Sequence, residues 1–183
     1  VQVDPIFPLA VRCAFIALFT SALIHKLRAP SAFAEAVRGY AGLLGAPAAV
    51  NARLVAALAL LVLALEAGLV ALLLAPTPPQ WRTVACAGVL VGYAALMAWS
   101  VVRGRHIDCG CSFGAARQRV GWAAVLRNAT LAAGAALMLL PPNGRSLAAA
   151  DILSVAALLA IVMLVYQVVN QLLANAGTLP RSS

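Results

Sequence analysis

The sequence predicts an all-α membrane protein: a polytopic bundle of about five transmembrane helices plus one short interfacial amphipathic helix. Three observations carry this. Hydrophobic residues make up 64% of the 183 and charged ones only 10%, more apolar surface than a soluble domain of this length can bury. The apolar residues fall into blocks of about 20, the length that crosses a bilayer as a helix. Prolines and basic residues separate the blocks. The whole chain, 1–183, then reads as a single integral membrane domain with lipid as its principal solvent.

Taken in order, the first span covers about 6–24, "IFPLAVRCAFIALFTSALI", followed by "HKLRAP". No small-residue cleavage site follows it, so it reads as a retained helix rather than a signal peptide. The segment 31–44 is too short and too polar to cross. It sets Phe33, Val37, Tyr40 and Leu44 at helical spacing after Ser31, the pattern of a helix lying in the interface. A second span, about 52–74, ends at "APTPPQ", where three prolines break it. The third covers about 83–102, the fourth about 120–140 up to Pro141-Pro142, and the fifth about 152–173. The tail "GTLPRSS" reads as frayed.

The net charge of +8 does not imply nucleic-acid binding, because the basic residues occupy short loops between spans. With five spans, Lys26, Arg28, Arg38, Arg53, Arg103, Arg105, Arg117, Arg119 and Arg181 share one face, and Arg82 and Arg145 share the other. The positive-inside rule places the first face in the cytoplasm.

Chemistry concentrates in "RGRHIDCGCSFG", residues 103–114. Cys109 and Cys111 form a C-x-C pair, whose disulfide closes a small, strained and therefore reducible ring. Arg103, Arg105 and His106 supply positive neighbours that favour the thiolate, while Asp108 opposes them. Two other readings stand beside the redox pair. One is a metal site through His106, Asp108, Cys109 and Cys111, although C-x-C is less usual for zinc than C-x₂-C; no metal is assigned. The other is a plain turn. Cys13 and Cys86 fall inside spans, on the order of 15–25 Å in depth from the pair, and read as small buried hydrophobes.

Ionisable residues within spans are costly and normally pair or line a polar cavity. Arg12 and Glu66 lie at similar depth along their helices, which predicts an ion pair between them. The alternative makes Glu66 a proton relay for a quinone or thiol reaction. Lys26 ends the first span, where its ammonium can snorkel to the surface or stand near the cysteine loop. Asn128 is placed to bond across helices, and Arg127 beside it reads as structural. No cofactor follows from the residues, a quinone being the one admitted.

"HKL" after the first span, Phe33 and Tyr40 in the short helix, Glu66, "IDCGC", "RN" at 127–128 and "NQLLANA" near the end together resemble the MauE family of methylamine-utilisation membrane proteins, within the DoxX-like group. The resemblance runs through nearly the whole chain. It implies an accessory role in maturing the disulfide-rich small subunit of methylamine dehydrogenase, with a thioredoxin-like MauD-type protein as partner. It also implies a bacterial inner-membrane location. On that reading Cys109 and Cys111 are the redox pair, with His106, Arg105, Lys26, Glu66, Arg127 and Asn128 in support. The alternative is a non-catalytic assembly, chaperone or metal-binding subunit. A periplasmic partner wants the cysteine loop outside, whereas the charge bias wants it inside, and the orientation stays open.

Overall fold

The computed structural model describes residues 2–43, 51–104 and 121–176. These form six helices, α1 (Ile6–Arg28), α2 (Pro30–Leu43), α3 (Ala52–Leu74), α4 (Pro79–Val102), α5 (Trp122–Ala135) and α6 (Ala149–Ala176). A 3₁₀ turn, Ala136–Leu139, prolongs α5. Helices α1, α3, α4 and α5 with its 3₁₀ turn are long and apolar enough to cross a membrane, and α6 carries the apolar stretch Ala149–Val165. The protein is an all-α membrane bundle. A helix of 23 residues, such as α1 or α3, is about 34 Å long at 1.5 Å per residue, enough for a hydrocarbon core of about 30 Å.

The boundaries follow from local chemistry. Pro30 has no N–H to continue α1 and instead opens α2 at its first position, so a single residue, Ala29, separates the two helices. The Asn51 side chain accepts a hydrogen bond from the Arg53 N–H and caps α3. Helix α4 begins at Pro79, four residues before the predicted span, because proline is tolerated at the first helical position. It ends where Gly104 turns left-handed at φ 64° and its N–H bonds the Val101 carbonyl, a conformation that suits glycine.

Packing centres on Phe15 and Phe19 of α1, Leu69 and Leu73 of α3, Cys86 and Leu90 of α4, and Ala132 and Ala135 of α5. Cys86 is fully buried there as a small apolar side chain, while Cys13 is half-buried. Helices α4 and α5 make the most extensive pairing, and α1 lies against both α3 and α6. The outer faces carry exposed Leu60, Leu61, Leu65, Val84 and Val91, as lipid-facing surfaces do. Helix α2 is amphipathic as its sequence predicts. It turns Phe33 and Val37 onto Val55, Leu58 and Val62 of α3, so protein as well as lipid covers its apolar face.

At one end of the bundle the chain is strapped across itself. The Val3 N–H bonds the Pro141 carbonyl at 3.0 Å, and the Asn143 N–H bonds the Val3 carbonyl at 2.7 Å. Arg145 clamps both Asp4 (3.0 Å) and Asp151 (2.9 Å), and the Asp151 carboxylate also accepts from the Ala148 N–H. Arg145 holds both carboxyls below their ordinary value of 3.8 through hydrogen bonds.

Candidate functional site

Lys26, Glu66 and Tyr93 meet inside the bundle. The Lys26 Nζ lies 2.5 Å from the Glu66 Oε1, and the Tyr93 hydroxyl donates to the same oxygen at 2.7 Å. Lys26 is 4% exposed and Glu66 fully buried. The Lys26 ammonium also faces the rings of Phe33 and Tyr93, 5.6 and 5.8 Å from their centroids, a cation–π environment that offsets part of its desolvation. The other carboxylate oxygen, Glu66 Oε2, is buried without a hydrogen-bond partner among the described residues.

This arrangement corrects two expectations. Glu66 pairs with Lys26 rather than with Arg12, and Lys26 does not snorkel to the surface. Side chains on a helix lean toward its N-terminus. Helices α1 and α3 run in opposite directions, so Lys26 leans inward from the end of α1 and Glu66 leans back to meet it. Arg12, on the same helix, leans the same way as Lys26, toward the start of α1, and so away from Glu66. Its guanidinium reaches the end of α3, where it donates to the carbonyls of Leu73 (2.5 Å) and Ala75 (3.0 Å). A cation on those last carbonyls satisfies orphan acceptors and complements the helix dipole. Equal depth along the helices therefore did not bring Arg12 and Glu66 together.

Two cavities adjoin the triad. The larger, about 200 Å³, lies between α2, α3 and α4 and includes Lys26, Phe33, Tyr40, Val62 and Tyr93 in its wall. The smaller, about 50 Å³, is lined by Glu66, Lys26, Arg127 and Asn128 among others, and has the size and polarity to take water. Asn128 donates across the helix pair to the Met97 sulfur at 3.4 Å and along its own helix to the Ala124 carbonyl at 2.9 Å. The structure thus brings Lys26, Glu66, Arg127 and Asn128 to one region. It adds Tyr93, which the sequence reading left out. A tyrosine in the same span as small and apolar neighbours was the available signal, since its hydroxyl needs a partner when buried.

Cys109, Cys111, His106 and Arg105 lie outside the described residues. The segment that holds them leaves α4 just after Arg103, whose guanidinium stacks 4.8 Å over the Trp99 ring, and re-enters at α5. Those helix ends lie at the same end of the bundle as the α1–α2 turn.

The family model described as methylamine utilisation protein MauE matches residues 4–141. A methylamine utilization protein MauE of Paracoccus denitrificans is 37% identical over 133 residues, covering 72% of this chain and 67% of that one. The chain belongs to the MauE family. A MauE of Paracoccus versutus is 33% identical over 153 residues, 81% of this chain and 77% of the relative. No solved structure matches. The MauE match spans α1 to the Pro141 that ends the α5 region, and so includes every member of the buried triad and both cysteines of the C-x-C pair.

Proposed function

We propose that this MauE-family membrane protein is a thiol–disulfide relay in the maturation of the methylamine dehydrogenase small subunit. It would work in a bacterial inner membrane with a thioredoxin-like, MauD-type partner. The observation that carries the reading is the position of the C-x-C pair within the family match, in the connection between the two most closely paired helices. Cys109 or Cys111, as thiolate, attacks one sulfur of a partner disulfide and expels the other as thiolate. The remaining cysteine then attacks the mixed disulfide, closing the Cys109–Cys111 bond and releasing the partner as a dithiol. Two electrons pass to the partner in this direction, and the reverse sequence returns them.

Trapping tests this directly. With one cysteine replaced, Cys111→Ser or Cys109→Ser, the remaining thiol should accumulate a mixed disulfide with the thioredoxin-like partner, visible on non-reducing gels. The Cys109→Ala/Cys111→Ala protein should leave the client unmatured. Full maturation with that double variant would eliminate the relay and favour a non-catalytic assembly role. Labelling of whole cells with a membrane-impermeant thiol reagent reads the side of the membrane: a periplasmic partner requires the pair to be labelled.

A further inference from the structure

The cavity between α2, α3 and α4 has a chemistry that the relay does not use. Its walls are almost wholly apolar, with the rings of Phe33, Tyr40 and Tyr93 among them. At about 200 Å³ it exceeds the apolar cavity of about 150 Å³ that takes a benzene ring. Leu61 and Leu96 of the lining are exposed on the outer surface of the bundle, so the opening faces lipid. Lys26 is the charged residue of its lining, beside the hydroxyl-bearing Tyr40 and Tyr93, and brings an ammonium group to it. That group carries three N–H donors, and among the described residues it hydrogen-bonds only to Glu66 Oε1.

Charge selects the ligand. Lys26 and Glu66 already neutralise each other. An anionic head, such as a fatty-acid carboxylate, would leave a net buried negative charge, which is costly away from water. A neutral carbonyl oxygen accepts a spare Lys26 N–H without that cost. The aromatic lining and the cavity's size favour a flat ring over a single acyl chain, because rings gain from offset or edge-to-face contact. We propose that this cavity binds a neutral, carbonyl-bearing ring of the quinone class, with one carbonyl oxygen on the Lys26 ammonium and the ring among Phe33, Tyr40 and Tyr93.

The test uses the purified full-length chain in detergent with decylubiquinone as probe. Binding is read as a rise in unfolding temperature and as protection from photo-crosslinking by an azido-ubiquinone. Crosslinks should map to α2, α3 and α4. Val62→Phe and Ala36→Leu fill the cavity without touching the ion pair and should each weaken binding about tenfold. The double change Lys26→Met/Glu66→Leu removes the donor while leaving no unpaired charge, and should also weaken it about tenfold. Unchanged affinity in both the filled and the double variants would overturn the proposal, as would crosslinks confined to other helices. Displacement of the probe by equimolar dioleoylglycerol or oleate would overturn it too, by marking the cavity as an acyl-chain slot. Cys109→Ser/Cys111→Ser should bind the probe as the parent does, so loss of the relay and loss of the ring site are separately readable.

Discussion

Among the described residues two charged clusters hold this protein, and they do so on opposite terms. Arg145 with Asp4 and Asp151 sits at the strapped end, with Arg145 and Asp4 side chains 41% and 47% exposed. Lys26 with Glu66 sits inside, at 4% and 1%. Water already solvates Arg145 and Asp4, so little is lost if that contact goes. The second cluster has given up its solvation, and each ion depends on the other. Similar charge pairs therefore contribute very differently, and the comparison can be broken one residue at a time.

The largest effect should come from splitting the buried pair. Lys26→Met or Glu66→Leu alone leaves an uncompensated charge, and should cost about 3–5 kcal/mol in detergent unfolding. The double Lys26→Met/Glu66→Leu protein should recover most of that loss, because neither charge remains to be buried. If the two single costs simply add in the double variant, the ions do not act as a pair. Next in size is Tyr93→Phe. It removes one donor to a charged acceptor and should cost about 2 kcal/mol, with the Lys26–Glu66 contact kept.

The smallest effect belongs to the surface cluster, and its signature is its dependence on conditions. Arg145→Ala should destabilise the parent detectably at low salt and less at high salt, since exposed charges are screened. Asp4 and Asp151 have folded-state values below the ordinary 3.8. Their contribution is complete above that ordinary value and is lost as the pH falls below it through the depressed folded values. The Arg145→Ala protein should therefore show a weaker fall in stability below about pH 4 than its parent, in pH-dependent thermal unfolding. An identical acid limb in the two proteins would mean that the clamp contributes nothing.

The same two regions show what the sequence can and cannot reveal. Helix class and approximate extent were legible, because blocks of apolar residues and prolines act locally: α3 matches its predicted span, 52–74, at both ends. Glu66 stood out because a carboxylate in an apolar run must have a partner. Which partner was not legible. Depth counted along each helix favoured Arg12, and the outcome turned on the direction in which side chains lean from antiparallel helices. Tyr93 was hidden for the same reason, since nothing local marks the face of α4 that turns to Glu66. The Arg145 clamp was missed because Asp4 lies 141 residues away in the chain. The Val3–Pro142 bridge and the packing of α1 against α6 bring those segments together.

The closeness of the buried pair has one more consequence, for an energised membrane. A single charge carried across the full membrane exchanges about 2.3 kcal/mol with each 100 mV of potential. The Lys26 and Glu66 charges stand only 2.5 Å apart. Across a hydrocarbon core of about 30 Å, the pair couples to the same 100 mV by no more than about 0.2 kcal/mol. Held together, the two ions are electrically almost invisible to the membrane. Either one alone would ride on its voltage.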